Sequence, residues 1–336
     1  MARIVLGMGT SHAPQLSMDT SFWPGRAAAD RRNPELWFQG KAYAFPDLVE
    51  VRSGEGIEKE LSPEKAEARF AACQRDIAGL SEVYQRVRPD VAILIGDDQH
   101  ESFLDDNMPA FSVYWGDTVD NAAYHHSEQR EKLGLAAADR GHMPQERATY
   151  PIESDLGHHI ITSLVEDGFD PGHSRRLPPG REGHGGIGHA FGFVYRRIMN
   201  DEVIPNVPIF LNTYYPPNQP TMRRSYQLGM ALRRAVESWD QDKTVAIVAS
   251  GGLSHFVIEE ELDQEIIRGM REKDQALLTS FPESYFNSGT SEIRNWVVVA
   301  GAMAESDLDF KLLDYVPCYR SEAGTGCAMT FATWER

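Results

Sequence analysis

The sequence predicts a single α/β domain, with a mostly parallel central sheet and helices on both of its faces. Three observations point there. Short continuous runs of aliphatic and β-branched residues recur at Arg3–Gly7, Asp90–Gly96, Val207–Asn212 and Thr244–Ala249, the pattern of strands buried on both faces rather than on one. Stretches with apolar residues at helical spacing lie between them, and such alternation stacks helices on a parallel sheet. No internal repeat, low-complexity tract or linker divides the 336 residues, so the chain reads as one domain over 1–336, a length that single α/β domains reach.

Arg3–Gly7 is read as the first strand because it is short, β-branched and cut off by glycine. His12 follows in its exit loop. From about Leu16 to Gly56 periodicity disappears, while Trp23, Trp37, Phe38, Tyr43 and Phe45 stand among Pro and Gly. So many aromatics argue against disorder and predict a long ordered loop. Ser62-Pro63-Glu64 then opens a helix, with Pro in the first turn and Ala66, Phe70, Ile77, Leu80, Tyr84 and Val87 at helical spacing. That helix ends near Pro89. The strand Asp90–Gly96 exits through Asp97-Asp98-Gln99-His100. A short strand at Phe111–Trp115, a polar region to Tyr150, and helices over about Glu153–Gly168 and Gly186–Met199 lead to the strand Val207–Asn212. A helix around Met222–Trp239 precedes the strand Thr244–Ala249, and helices over Leu262–Ser280 and Glu292–Ala304 precede a C-terminal strand region.

Charge narrows the partner classes. The 33 Lys+Arg against 50 Asp+Glu leave a net charge of −17, which repels polyanions, so neither nucleic acid nor an acidic membrane surface is an expected partner. A small molecule is expected instead, and an anionic one needs a local basic pocket set into an acidic body. Cys73, Cys318 and Cys327 are far apart in sequence and suggest neither a disulfide framework nor a thiolate zinc site, which fits a reducing cytoplasm. The first apolar run, Ala2–Met8, is too short for a signal-peptide core, and no run approaches the ~20 residues of a membrane span.

In such sheets ligands bind beyond the carboxyl ends of the strands. Three strand exits carry a histidine: His12, His100 and His255. Other motifs weigh less. Gly7-Met-Gly9-Thr-Ser-His12 begins like a dinucleotide fingerprint, but its sixth position is His where Gly or Ala is needed. Gly252-Leu-Ser254-His255-Phe256 lacks the second glycine of a nucleophile elbow. His184, His189 and the pair His158-His159 are open between metal ligation and ordinary helix or loop positions, whereas His125, His126, His142 and His173 are read as surface or core residues. Glu292, in the first turn of its helix, is open between a capping role and a functional one.

Taken in order, Gly9-Thr-Ser-His-Ala-Pro14, Val91-Ala-Ile-Leu-Ile-Gly-Asp-Asp-Gln-His100, Asp155-Leu-Gly-His-His-Ile160, Gly183-His-Gly-Gly186, Thr213-Tyr-Tyr-Pro-Pro217, Gly251-Gly-Leu-Ser-His255 and Ser291-Glu-Ile-Arg-Asn-Trp296 resemble the class III extradiol ring-cleavage dioxygenases, the superfamily of the protocatechuate 4,5-dioxygenase beta subunit. The resemblance implies a mononuclear non-haem Fe(II) held by His12, His100 and Glu292, a facial triad that leaves adjacent positions for both catechol oxygens and O2. It implies His255 as the acid/base that takes and returns a proton, and His184 as a pocket histidine that hydrogen-bonds the substrate. Tyr215 and Asp98 are expected beside His184 as substrate contacts. Where the beta subunit has Asn-Asp-His this chain has Asp98-Gln99-His100, so Asp97 or Asp98 stays open as a further metal partner. The segment 16–56 is an insertion relative to that subunit and resembles longer single-chain members that cleave lignin-derived catechols. Its aromatics are open between a lid and an oligomer interface.

The expected activity is therefore O2-dependent extradiol cleavage of a catecholic acid such as 3-O-methylgallate, gallate or protocatechuate, in lignin and aromatic-compound degradation, by a cytoplasmic homodimer. Arg175, Arg176, Arg181, Arg223 and Tyr215 are candidates for the carboxylate anchor. A non-catalytic binding or signalling protein on the same scaffold, and a metal-dependent hydrolase, are the competing readings.

Overall fold

A computed structural model describes residues 1–123, 128–132, 134–180 and 185–336. Its strands are β1 (Arg3–Thr10), β2 (Leu36–Phe38), β3 (Lys41–Tyr43), β4 (Val91–Asp97), β5 (Phe111–Tyr114), β6 (Thr118–Asn121), β7 (Ala148–Pro151), β8 (Gly172–Ser174), β9 (Asn206–Leu211), β10 (Thr244–Ser250), β11 (His255–Val257), β12 (Asp309–Tyr319) and β13 (Thr325–Glu335). Nine of them form one mixed sheet, in the order β11-β13-β1-β10-β4-β9-β5-β8 with β12 alongside β13. The centre, β1-β10-β4-β9, is parallel throughout, and the antiparallel pairings lie towards the margins. Thus the expected α/β domain is present, with its parallel part where the apolar runs were read.

Those runs are apolar at every position because alternate side chains feed two cores. Val91, Ile93 and Ile95 of β4 join Val245 and Ile247 of β10 on one face, while Ala92, Leu94, Ala246 and Val248 point to the other, as the two-residue period of a strand requires. The first face is covered by the helices Ser154–Glu166, Met222–Ser238, Glu260–Glu272 and Ile293–Met303, and the second by Pro63–Val87 and His189–Phe193. Glycines bring Met222–Ser238 and Ile293–Met303 almost into backbone contact: a Cβ on Gly229 would stand 1.8 Å from the Val298 carbonyl oxygen, and one on Gly301 2.1 Å from that of Tyr226. Among the described residues no helix is long and apolar enough to cross a membrane.

Element boundaries differ from expectation where local chemistry intervenes. The helix read over Leu262–Ser280 divides into Glu260–Glu272 and Gln275–Leu278, because Lys273 turns to φ 55° and the Asp274 side chain caps the second piece at Leu277 N–H. The C-terminal region is a hairpin of two eleven-residue strands, β12 and β13. Segment 16–56 holds more regular structure than a loop: the helices Trp23–Asp30 and Phe45–Val51 and the β2–β3 hairpin. Three of its aromatics turn inward. Trp23 joins the core under Pro63–Val87, and Phe38 and Phe45 pack with Leu36 and Leu48 against Val257 and Ala323.

Candidate metal centre

Three adjacent parallel strands, β1, β10 and β4, end at Thr10, Ser250 and Asp97, and the site is built over those ends. His12 follows β1, and Asp97 closes β4. Glu292 ends the 3-10 turn Ser288–Glu292, which enters the helix Ile293–Met303. His189 is the first residue of its short helix, and His255 opens β11. His12 Nε2 lies 3.4 Å from Glu292 Oε2 and 3.9 Å from Asp97 Oδ1. His189 Nε2 lies 3.2 Å from His12 Nε2 and 3.9 Å from Asp97 Oδ2. His255 Nε2 approaches Glu292 Oε1 at 3.2 Å. One donor atom each from His12, Asp97 and His189 falls within 4.8 Å of the others.

The surrounding hydrogen bonds decide which nitrogens face the centre. The Ser250 hydroxyl donates to the Ala190 carbonyl at 2.6 Å, so its oxygen accepts from His12 Nδ1–H at 3.0 Å, and the lone pair of neutral His12 is then on Nε2. His189 Nδ1–H donates to Glu101 Oε2 at 2.7 Å while its backbone N–H donates to Oε1 at 2.8 Å. Carboxylate behind imidazole is how a metal-ligating histidine is usually oriented. Both Nε2 atoms therefore converge beside two carboxylates, a donor set that fits a divalent iron, manganese or zinc ion.

The charges are consistent with a cation at this place. Burial raises the Asp97 carboxyl, and the negative Glu292 raises it further. Against the same effect of burial, His255 and His12 hold Glu292 well below the ordinary carboxylate range. Burial opposes the His189 imidazolium, but Glu101 outweighs it and pushes the group up to about 10. His255 behaves alike: burial lowers it, while Glu292 and the bond from Nδ1–H to the Leu253 carbonyl at 2.8 Å leave it raised. His142, whose ring edge faces His189, is pushed down to about 4 by burial and by that neighbour's charge.

A cavity of about 350 Å³ opens over this group, a size suited to a small ligand. Its lining includes His12, Gln99, His100, His142, His189, His255 and Glu292, with Pro14, Leu135, Met143, Phe193 and Phe256 as apolar wall. The Gln99 amide donates towards Asp97 Oδ2 (3.3 Å) and Glu292 Oε1 (3.4 Å).

The expected residues are distributed unevenly. His12, Glu292 and His255 come together as the resemblance implies. His100 lines the same cavity but turns elsewhere: at φ 64° its ring stacks on Tyr215, 3.7 Å between centroids, and its Nε2 lies 3.3 Å from Asp105. His189 takes the place beside His12 and Asp97. Asp98 is buried, with both oxygens taken by the backbone N–H groups of Ser102 and Phe103 at 2.8 and 3.0 Å, so it shapes the loop rather than facing the cavity. Tyr215 stacks on His100 and is not among the described residues that line the cavity. His184 and Arg181 lie outside the described residues. Arg175, Arg176 and Arg223 are exposed and away from the cavity. Arg26 and Arg320, which line it, escaped the sequence reading, since a single arginine in an aperiodic stretch carries no pattern.

Comparison with known proteins agrees with this architecture. Residues 59–324 match the family described as the catalytic LigB subunit of aromatic ring-opening dioxygenase. Gallate dioxygenase of Pseudomonas putida is 32% identical over 180 residues, half of each chain. The enzymes named 2,3-dihydroxyphenylpropionate/2,3-dihydroxicinnamic acid 1,2-dioxygenase are more distant: that of a Rhodococcus species is 25% identical over 168 residues, 50% of this chain and 44% of the relative. That of Mycolicibacterium smegmatis is 27% identical over 180 residues, 53% and 48%. The chain thus spans about half the length of the curated relatives it matches. With the family pattern running over most of its length and a His/carboxylate centre at the strand ends, the chain belongs to the family of the catalytic LigB subunit of aromatic ring-opening dioxygenases.

Proposed function

We propose that this protein opens the ring of a catecholic aromatic acid by an extradiol cleavage, consuming O2 and placing both of its oxygen atoms in the product. The observation that carries this reading is the convergence of His12, His189 and Glu292 in the cavity wall, with Asp97 buried beside them. His12, His189 and Glu292 would hold a mononuclear Fe(II), with Asp97 as a further carboxylate, in place of the set that includes His100. Such an ion would supply open coordination for the catechol oxygens and O2 and a path for electron density from ring to oxygen.

The chain's own residues do the rest. The apolar wall of Phe193, Phe256, Leu135 and Met143 receives the ring and keeps water from it. His255, pinned at Nδ1 by the Leu253 carbonyl, presents Nε2 to the cavity side of Glu292, where it takes a hydroxyl proton from the substrate and returns it later. His142, held neutral by burial, can donate or accept a hydrogen bond without adding charge. Three buried free thiols fit the cytoplasmic setting read from the sequence, and lignin-derived acids remain the substrate group we favour.

The test is oxygen uptake with ultraviolet-visible spectra after anaerobic Fe(II) loading, across protocatechuate, gallate, 3-O-methylgallate, 2,3-dihydroxyphenylpropionate and a biphenyl catechol. Stoichiometric uptake with a ring-opened product is expected from at least one. No uptake from any, with metal tightly bound, overturns the reading in favour of a binding protein, and turnover under strict anaerobiosis overturns it in favour of a hydrolase.

A further inference from the structure

The cavity wall carries the carboxylates Glu101, Asp139 and Glu292, and among the described residues only two guanidinium groups, Arg26 and Arg320. The two are not equivalent. Arg320 is committed: its Nε and Nη2 donate to the two oxygens of Asp30 at 2.6 and 3.0 Å, and its Nη1 donates to Gln15 Oε1 at 3.0 Å. Asp30 is satisfied in turn, accepting also from Thr325 Oγ1 at 2.6 Å. Arg26, one helical turn before Asp30, makes no hydrogen bond or ion pair among the described residues, although it is half-buried. Burial and the charge of Arg320 push its guanidinium down, with Asp30 opposing. A half-dry cation beside a second, already neutralised one is in a place that an anion would relieve.

The helix Trp23–Asp30 fixes that position, because Trp23 and Ala27 on either side of Arg26 are buried. The helix belongs to segment 16–56, so the insertion delivers a cation to the cavity wall. We propose that Arg26 is the anchor for an anionic group of the ligand, which sets the specificity of the cavity for aromatic acids over neutral aromatics. The carboxylate lies against Arg26, and the other edge of the ring is turned towards His12 and Glu292. That orientation rests on the ring-opening reading above; the anion site itself does not.

The experiment separates the two. Binding of benzoate and of benzamide, a pair matched in shape and differing in charge, is measured by calorimetry on the wild-type protein and on Arg26→Gln, Arg26→Met and Arg26→Lys. Because a charge-assisted contact is lost, we expect the benzoate Kd to rise by about tenfold or more in the Gln and Met variants, with benzamide little changed and Lys recovering part of the loss. Thermal unfolding confirms that each variant is folded, and a folded Met variant suffices if the Gln variant is not. Benzoate binding unchanged in the variants, or no wild-type preference for benzoate over benzamide, overturns the anchor. In oxygen uptake, the preference for a catecholic acid over its methyl ester, as a ratio of kcat/KM, is expected to fall by the same factor in Arg26→Gln. Arg26-dependent benzoate binding in a protein that consumes no catechol supports the anchor and overturns the ring-opening reading alone.

Discussion

Gly9 and Trp296 occupy each other's space: a Cβ built on Gly9 would stand 2.1 Å from the nearest carbon of the Trp296 ring. The indole N–H in turn donates to the Gly251 carbonyl at 2.8 Å, next to Ser250, which orients His12. Trp296 follows Glu292 by four residues, so a displaced ring disturbs both ends of the centre. We expect Gly9→Ala to cost about 1–3 kcal/mol of stability through overpacking and to weaken metal binding as well. Urea unfolding and metal content measured on the same preparation check both parts.

Removing a donor tests the ligand set directly. His12→Ala, His189→Ala and Glu292→Ala are expected to retain less than about a tenth of the wild-type iron after anaerobic loading and desalting, whereas His100→Ala retains it. Ser250→Ala, which frees His12 Nδ1, is expected to weaken affinity by about 10–100-fold. Loss of iron from His100→Ala together with retention by His189→Ala would return the third position to His100.

His255→Ala is expected to bind iron and catechol but to turn over far more slowly, by about 100-fold or more, since general acid–base assistance contributes on that scale. Stopped-flow spectra separate binding from turnover.

What was legible in the sequence follows from how each residue announces itself. Val91–Ile95 and Val245–Ala249 are apolar at every position because both sheet faces are covered, and such runs are read without knowing the partners. The three residues of β11 give no run to read. Asp97 was open as a metal partner beside Asp98, and spacing could not choose between them, because the approach of Asp97 to His12 depends on β1 lying two strands away. His12, Glu292 and His255 stood out through the motifs around them. His189, proposed above in place of His100, did not, because its orientation by Glu101 and the left-handed turn at His100 are not visible in residue spacing. Glu292 was open as a helix cap; its carboxylate instead accepts the Gly252 N–H at 2.9 Å and faces two histidines.

Asp263 gives a pH signature outside the proposed donor set. It is buried and accepts from Ser254 N–H, Ser254 Oγ–H and Tyr315 O–H at 2.8, 2.6 and 2.7 Å. Burial outweighs these bonds and pushes its carboxyl up to about 7 from an ordinary 3.8. Between those values the unfolded chain gives up the proton while the folded one keeps it, so this group's contribution to stability declines as pH rises from about 4 to about 7 and is level above. In Asp263→Asn the decline is absent, and the stability difference between wild type and variant changes in the wild type's disfavour across that window. Denaturant titrations at several pH values measure it.

The pair Arg320–Asp30 fastens the insertion to the turn between β12 and β13. Asp30→Ala leaves a buried guanidinium without its carboxylate and is expected to cost about 3 kcal/mol. Asp30→Leu combined with Arg320→Met should recover part of that loss in the same unfolding assay.

β1 lies between β10 and β13, and Ser11, beside His12, is tied to Thr330 in both directions: its N–H donates to the Thr330 carbonyl at 3.1 Å, and its hydroxyl oxygen accepts the Thr330 N–H at 2.9 Å. During vectorial synthesis, this part of the support beside His12 therefore forms only after residue 330 has cleared the ribosome. A nascent chain carries His12, Asp97, His189 and Glu292 in turn, yet lacks the strand that steadies the first of them. On the proposed metal reading, a ribosome-stalled chain ending before β13 should bind metal more weakly than one that includes it.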